Sequence, residues 1–489
     1  MICAMAFDKK AYEALVSEVF QRFPSVQKAG FDGAYKPGLA HMRAFDEALG
    51  FPSRAFRSIH VAGTNGKGSV CNMLASVLSA AGIRTGLYTS PHITDFRERI
   101  RTSFAAEGCC IKTALRCAPG PSRTDAVSSP HPLTWPRVAT GFETTPSSAT
   151  AVWSLIPQEY AYEFLTEWEG YFVEKGLSFF EITTGLCFKY FADAGVEVAV
   201  IETGLGGLLD STNILRPELA IVTNIGMDHM AYLGNTPAEI AAQKAGIFKE
   251  GVPALVGECG EETDGAFAEA AWMKCPLTFA EKVTPTLWHR RKDILAKMDL
   301  RGAAQEKNLR TVLAALDILR DTAGFRPDPE TVVAAICHTA ARTGFHGRWE
   351  KLSDVPYIIC DIGHNAHALR YNFAQLRHEV STGRFSSLII VYGIMADKDI
   401  EPILPLMPAD ATYIFCAPDT PRALPAADLL ARYRTFCEEQ GRAPHAYVAE
   451  TVREAVGMAT RLAKDYERPL VYIGGSTFVV AEAVNLFRS

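Results

Sequence analysis

Several signals that would assign a protein to a class are missing from this chain of 489 residues. No apolar run approaches the roughly 20 residues that a membrane-spanning helix needs. The first ten residues, MICAMAFDKK, become charged too early for a signal peptide. The twelve cysteines form no C-x-x-C pair and no histidines stand at zinc spacing, which favours reduced, buried thiols in a cytoplasmic protein. A net charge of −6 offers no general attraction for nucleic acid or an anionic membrane.

The most informative segment that is present is a glycine-rich turn at residues 60–70, HVAGTNGKGSV. It follows an apolar segment and precedes a helix-like stretch at 70–81, an arrangement that binds nucleotide phosphates through backbone N–H groups and a helix N-terminus. Lys67 is placed to reach the terminal phosphates, and the Ser69 hydroxyl to face Mg²⁺. The general pattern is G-x-x-x-x-G-K-[ST], but Val61 occupies its first glycine position and Gly68 separates the lysine from the serine. The turn therefore predicts an ATP-binding protein, and its unusual spacing narrows the families to which the protein can belong.

Short apolar segments alternate with helix-like stretches along the chain, and this alternation predicts an α/β protein with mostly parallel sheets. The composition, 48% hydrophobic and 21% charged, is that of an ordinary globular protein. The predicted strands are residues 85–89, 196–201, 219–223, 357–361, 387–392, 411–416 and 469–473.

Polar residues follow several of these strands, at the edge of a parallel sheet where ligands bind. Glu202 ends one strand and is placed to hold Mg²⁺ directly or through water, although an acid there is often a helix cap. Ser90 by itself predicts a turn, and His229 a hydrogen-bonded structural histidine. Lys244, near the end of an amphipathic helix at 239–249, by itself predicts a surface lysine that complements the helix dipole.

One segment, residues 104–152, fits neither a helix nor a strand. Eighteen of its 49 residues are Ser, Thr or Pro, and no period of 2 or 3.6 persists. This composition predicts a disordered insertion or an artefact of gene prediction. The alternative is an ordered lid or interaction loop.

Taken together and in this order, the motifs resemble the folylpolyglutamate synthase/dihydrofolate synthase family of the Mur ligase superfamily. The similar segments cover nearly all of the chain outside 104–152. They are HVAGTNGKGSV (60–70), YTSPH…FRERIR (88–101), LSFFEITT (177–184), ETGLGGLLDSTN (202–213), TNIGMDHMAYLGNTPAEIAAQKAGIFKEGVP (223–253), Gln305…Asn308, Gly347-Arg348, DIGHNAHAL (361–369), GIMADKD (393–399), CAPDTPRA (416–423) and IGGS (473–476).

The resemblance implies ATP-dependent amide formation, in which a carboxylate is phosphorylated to an acyl phosphate and then attacked by the amino group of L-glutamate. The acceptor is dihydropteroate, the terminal γ-carboxylate of a folate, or both, and we predict the bifunctional activity. The implied cofactors are ATP and Mg²⁺, and the implied partners are small molecules, with no nucleic acid and no membrane. A cytoplasmic monomer is expected. The implied fold is a P-loop, mostly parallel-sheet ATPase domain at 1–325, a linker region at 326–346 and a smaller Rossmann-like glutamate-ligase domain at 347–489.

By motif position, the resemblance also implies roles for individual residues. Catalytic roles are implied for Lys67, for Lys244, which matches a lysine that is carbamylated in the family, and for His364. Contacts with ATP are implied for Gly63, Thr64, Asn65, Gly66, Lys67, Gly68, Ser69, Asn308, Arg348 and Asp361. The implied magnesium ligands are Ser69, Ser90, Glu202 and His229. The candidates for binding glutamate are Arg99, His364 and Ser476.

The chain departs from the family pattern at a few positions. Leu208 stands where the family usually has arginine, which removes a charge near the phosphates, and the 104–152 segment follows closely after Arg99. Ile362 and Ala366 are conservative changes in the DIGHN segment. Two alternatives stay open: a Mur-type amino-acid ligase of cell-wall precursors, which the FRERIR and KAGI contexts disfavour, and a catalytically impaired nucleotide-binding regulatory protein.

Overall fold

The computed structural model describes residues 8–23, 38–104 and 153–488. Apart from Phe104, the predicted insertion at 104–152 lies outside these ranges. The α-helices of the described part are α1 Lys9–Arg22, α2 Ala40–Ala48, α3 Lys67–Ala80, α4 Gln158–Lys175, α5 Phe179–Ala194, α6 Met230–Leu233, α7 Pro237–Ala245, α8 Glu261–Ala271, α9 Arg291–Lys297, α10 Gln305–Ala323, α11 Pro329–Cys337, α12 Thr339–Thr343, α13 Ala366–Ser381, α14 Ala426–Glu439, α15 Val452–Leu462 and α16 Thr477–Arg488. Within the same ranges, no helix combines the length and the apolar character that a membrane crossing requires.

The strands of the described ranges form two sheets. They are β1 Arg57–Ala62, β2 Thr85–Tyr88, β3 Ile100–Thr102, β4 Ser154–Leu155, β5 Val198–Glu202, β6 Leu219–Val222, β7 Ala254–Val256, β8 Leu277–Phe279, β9 Glu350–Asp354, β10 Tyr357–Asp361, β11 Ser387–Tyr392, β12 Thr412–Ala417, β13 Ala446–Thr451 and β14 Pro469–Gly474.

The first sheet has the order β4-β3-β2-β5-β1-β6-β7-β8 and the second the order β13-β12-β11-β14-β10-β9. The pairings are parallel except at one edge of each sheet, where β3, β4 and β9 run antiparallel to their neighbours. The predicted α/β class, with a mostly parallel first sheet and a second, smaller α/β sheet, is confirmed.

Both sheets are buried on two faces, which is why their central strands are continuous apolar runs. Val198 and Val200 of β5 point into a core formed with α3 and α10, whereas Ala199 and Ile201 point into a core formed with α2 and α5. The second sheet divides in the same way, between a core containing Phe373 of α13 and another containing α16. Helices therefore cover both faces of each sheet. The carboxyl edge of each sheet, where its parallel strands end, remains available for polar residues.

Local sequence fixes where the helices near this edge begin. Thr236 and Glu239 form a capping box at the start of α7, and Pro237 occupies its first turn. The helix spans Pro237–Ala245 rather than the predicted 239–249, and α3 begins at Lys67 rather than at residue 70. Lys244 is thereby placed in the last turn of α7 and Lys67 in the first turn of α3.

All seven predicted strands are present, within two residues at each end. The sequence reasoning missed β3, β4, β7, β8, β9 and β13. The proposed boundaries at 325 and 347 remain a prediction. The segment between them contains α11 and α12, which belong to the first core: Ser76 Oγ of α3 donates to the backbone oxygen of Ala335 at 2.8 Å.

Candidate active site at the facing edges of the two sheets

The phosphate loop between β1 and α3 has the backbone that its glycines require. Gly63 and Gly66 have φ values of 149° and 78°, in the left-handed region that disfavours other residues. A Cβ at Gly63 would lie 1.9 Å from Thr223 Oγ1, and one at Gly66 would lie 2.4 Å from Asn308 Oδ1. The loop is therefore pressed against β6 on one side and α10 on the other.

Hydrogen bonds to Asn224 hold the entrance of the loop. The N–H of Thr64 donates to the Asn224 carbonyl at 3.0 Å, and the N–H of Asn65 to Asn224 Oδ1 at 2.9 Å. The following N–H groups belong to the first turn of α3, where no intrahelical acceptor exists. These N–H groups at the helix N-terminus are the ones suited to an anion.

Two lysines converge on one carbonyl oxygen of this loop. Lys67 Nζ donates to the Gly63 oxygen at 3.0 Å, and Lys244 Nζ donates to the same atom at 2.9 Å. Lys244 is only 4% exposed, so the interpretation of it as a surface lysine is wrong. Burial, reinforced by the charge of Lys67, lowers the pKa of Lys244 to about 7.

Glu202, at the end of β5, lies on the other side of Lys67. Its carboxylate is 4.0 Å from Lys67 Nζ and accepts the N–H of Ser90 at 3.3 Å. Burial raises the pKa of the Glu202 carboxyl, and Lys67 opposes this shift without cancelling it. Glu202 is thus a buried acid whose negative charge is only partly compensated by nearby cations.

The four predicted magnesium ligands divide into a group of three and a single residue. Ser69, Ser90 and Glu202 lie around Lys67, with Ser69 Oγ 3.4 Å from Gln305 Nε2. His229 immediately precedes α6 and its side chain is 37% exposed, so its burial is partial; this burial and nearby cations lower its pKa, which favours the neutral imidazole that binds metals. Within the described ranges, no three His, Cys, Asp or Glu side chains form a metal-binding group. A magnesium site here thus requires hydroxyl or phosphate oxygens beside Glu202, a donor set that Mg²⁺ accepts.

Residues of the second sheet face the loop. Asp361, at the end of β10, is occupied by its own domain: it accepts N–H groups of Trp349 at 3.0 Å and Gly363 at 2.7 Å, and the side chain of Asn372 at 2.7 Å. These bonds shape the 361–365 loop, and the contact of Asp361 with ATP remains a prediction. Arg348 lines a small cleft together with Gly68, Ser90, Arg101, Glu202 and Phe345.

The three candidates for glutamate binding make separate contacts. Arg99 is 2% exposed, donates to His92 Nδ1 at 2.8 Å and lies over the ring of Phe179. His364 lies at the facing edge of the second sheet. Ser476 is buried and its Oγ accepts the Val479 N–H at 3.1 Å, which is a cap of α16. Their role in binding glutamate remains a prediction.

Sequence reasoning missed Asp228, whose side chain is 9% exposed and crosses to the second domain. Its oxygens contact Asn365, His364 and Lys398. The signal was available, because TNIGMDHM, DIGHNAHAL and GIMADKD were all recognised as motifs. Their mutual contact was invisible, because it joins positions up to 170 residues apart.

Leu208 lies beside α7, as its N–H donates to the Gln243 carbonyl at 2.7 Å. The side chain is 45% exposed, so an arginine would fit without repacking the core. The departure from the family pattern is thus a missing surface charge next to the helix that carries Lys244.

The fold and this site define the class of Mur ligases. Residues 158–256 match the Mur ligase middle domain, and residues 347–476 match the Mur ligase glutamate ligase domain. The dihydrofolate synthase/folylpolyglutamate synthase of Bacillus subtilis is 30% identical over 416 residues, which are 81% of this chain and 84% of that relative. The chain belongs to the dihydrofolate synthase/folylpolyglutamate synthase family, whose members are ATP-dependent ligases.

Solved structures support the fold of the described ranges. The Mycobacterium tuberculosis folylpolyglutamate synthase complexed with ADP has a TM-score of 0.76 at 24% identity, covering 98% of this chain and 99% of that one. The bifunctional Yersinia pestis enzyme complexed with AMPPNP and a manganese ion has a TM-score of 0.69 at 22% identity, covering 98% of both chains. These structures confirm the fold, whereas the family resemblance is confirmed by the Bacillus subtilis relative.

Proposed function

We propose that this chain adds L-glutamate to dihydropteroate and to the terminal γ-carboxylate of folates, releasing ADP and phosphate. The observation that carries the proposal is the arrangement around Lys67: a phosphate loop, a buried acid and a buried lysine meet where the second sheet faces them. Family membership supplies the substrates.

ATP would be held by the loop from Gly63 to Ser69, with Lys67 leaving the Gly63 carbonyl for the terminal phosphates. Mg²⁺ would be held by Ser69, Ser90, Glu202 and His229. When bound, the ion neutralises charge that builds up as a phosphoryl group leaves ATP. The buried carboxylate of Glu202 supports this assignment, because an acid with incomplete compensation favours a nearby cation. Asn308 and Arg348 would contact the nucleotide from α10 and from the start of the second domain.

We propose that Lys244 becomes carbamylated. Carbamate formation joins the nitrogen of a neutral amine to dissolved CO2 and releases a proton, and a pKa near 7 leaves about half of the Lys244 side chains neutral at that pH. The modification replaces a buried cation, which Lys67 repels, with an anion that Lys67 attracts. The resulting carboxylate would help to orient magnesium beside His229.

The reaction then needs a carboxylate brought close to the terminal phosphate. Arg348 and Arg101 supply positive charge to the cleft that Ser90 and Glu202 also line, so two anions can approach there. The acyl phosphate formed is labile in water, and a site between two domains protects it when the domains close. The amino group of L-glutamate, held by Arg99, His364 and Ser476, would attack the acyl carbon and release phosphate.

We propose that the chain acts as a cytoplasmic monomer. Both edges of the site come from the same chain, which supports the monomer. The cysteines of the described ranges are free, which suits a reducing compartment.

The experiment is a substrate panel measured by ADP release. Purified protein with ATP and Mg²⁺ receives L-glutamate and one of three acceptors: dihydropteroate, tetrahydrofolate or a UDP-muramoyl peptide. We expect ADP release with the first two acceptors, each requiring glutamate. Release only with the muramoyl peptide would assign a cell-wall ligase, and ATP binding without any turnover would assign a regulatory protein.

A further inference from the structure

The crevice at the carboxyl edge of the second sheet holds a side chain of the first domain. In open α/β sheets this crevice is the usual place for a ligand. Asp228, in the segment between β6 and α6, reaches the two loops that follow β10 and β11. In the sheet these strands are separated only by β14, so both following loops lie at the same edge and both reach Asp228.

The contacts of Asp228 are those of a bound anion. Its Oδ2 accepts Asn365 Nδ2 at 3.0 Å and lies 3.3 Å from His364 Nε2. Its Oδ1 accepts Lys398 Nζ at 2.5 Å and, within its own domain, the N–H of His229 at 2.9 Å. Lys398 is 16% exposed, so this is a mostly buried ion pair. The other ring nitrogen of His364 faces the Ile362 carbonyl at 3.1 Å, which fixes the orientation of the ring.

The same contacts extend to the phosphate loop. Asn365 and Asn65 exchange side-chain hydrogen bonds, each donating to the other's Oδ1 at 3.1 Å. Asn365 Oδ1 also caps α13 by accepting the Ala368 N–H at 2.9 Å. One side chain of the second domain therefore bonds to the phosphate loop, to Asp228 and to a helix of its own domain.

We propose that Asp228 and Lys398 form an interdomain clamp that holds the second domain against the phosphate loop and so positions His364. Both are positioning residues rather than substrate ligands. Removing one partner of the ion pair would leave a mostly buried charge without compensation, and this favours separation of the domains. The effect of the clamp on catalysis through His364 rests on the proposed function, whereas the contact between the two domains does not.

The test uses the full chain with Lys398→Met, the conservative variant Lys398→Arg, and Arg422→Met as a matched control. Arg422 pairs with Asp397 at 2.6 Å, next to Lys398 but within the second domain. We expect Lys398→Met to lower kcat about tenfold or more, as misplaced groups do, and to raise KM for L-glutamate as well, because His364 is displaced. Lys398→Arg should recover most of kcat, and Arg422→Met should leave it unchanged.

A double-mutant cycle of Lys398→Met with Asp228→Asn separates the clamp from other roles. If the two residues act together, the kcat and the Tm of the double variant should be no lower than those of the worse single variant. Additive losses would overturn the proposal, and so would a raised KM for L-glutamate at unchanged kcat, which would make Lys398 a substrate ligand. If the wild type shows no glutamate-dependent ADP release, the proposed function fails, and the Tm cycle alone decides the clamp.

Discussion

The two sheets present charged residues at facing edges, yet they treat those charges in opposite ways. At the first edge, burial raises the pKa of Glu202 and lowers that of Lys244, so both groups are held against their charged forms. At the second edge, where Asp228 of the first domain inserts, burial pushes the pKa of Asp228 upward, but the hydrogen bond and charge of His364 and the charge of Lys398 hold it well below its ordinary value. The first edge leaves charge for a ligand to compensate, whereas the charges at the second edge compensate each other across the two domains.

This difference assigns distinct tasks to the edges. Groups whose pKa values are shifted against their charged forms tend to mark chemistry, because a ligand, metal or modification is needed to complete their environment. Fully paired groups hold structure. The first edge is thus the candidate for phosphoryl transfer, and the second for orienting one domain on the other.

Of the changes at the first edge, replacing Glu202 is expected to lower activity the most. Glu202→Gln keeps the shape but removes the charge that would hold magnesium, and we expect ADP release to fall about a thousandfold, since a metal contributes several kcal/mol to such steps. Glu218→Gln is the matched control, because Glu218 pairs with Arg57 at the opposite end of β6. A Glu202→Gln variant that retains more than about a tenth of wild-type turnover would refute the metal assignment.

Replacing Lys244 tests whether the lysine acts as a carbamate. Lys244→Ala should lose about a hundredfold in turnover, in the range of a misoriented catalytic group. Acetate should restore part of that loss, because its carboxylate replaces the missing carbamate in the vacated space. Lys249→Ala provides the control, as Lys249 contacts the Asn213 carbonyl instead. Equal effects of acetate on both variants would argue against carbamylation.

The pH dependence of stability measures the unmodified Lys244 directly. Its folded pKa of about 7 lies below the unfolded value of about 10.4, so above pH 7 the unfolded chain binds more protons and stability rises with pH. In bicarbonate-free buffer we expect the free energy of unfolding to rise by about 1.5 kcal/mol more in the wild type than in Lys244→Met between roughly pH 7 and 8.5. Urea titrations check this difference, and parallel curves for the two proteins would contradict the lowered pKa.

The smallest effect is expected at Leu208. Leu208→Arg adds a surface cation beside α7, and screening limits its benefit to a two- to threefold lower KM for ATP, by our rough estimate. Stability should change by less than about 0.5 kcal/mol. Leu209→Arg, at a neighbour that is 40% exposed, is the control. An unchanged KM in the Leu208 variant would show that the departure from the family pattern carries no electrostatic consequence.

Much of the first edge could be predicted from sequence because its signals are local. A glycine-rich turn after an apolar segment and an acid at a strand end each occupy a few consecutive residues. The burial of Lys244 could not be predicted, since the helix pattern is satisfied equally by a surface lysine and only the approach of the phosphate loop encloses it. Asp228 was missed for a similar reason, because its partners stand more than 130 residues away.

The strands that were missed have a common physical explanation. Strand β4 has two residues, β3, β7 and β8 have three each, and β9 and β13 are edge strands whose side chains, except Ala449, are half-exposed or exposed. Short or edge strands lack the continuous apolar run by which the central strands are recognised.

Phosphorylation of a carboxylate at the first edge is tested most directly with dihydropteroate whose carboxylate carries a heavy oxygen isotope. This substrate is incubated with the protein, ATP, Mg²⁺ and L-glutamate. An acyl phosphate intermediate predicts that one labelled oxygen per product appears in the released inorganic phosphate, as measured by mass spectrometry. Glutamylated product formed with no label in the phosphate would contradict the account.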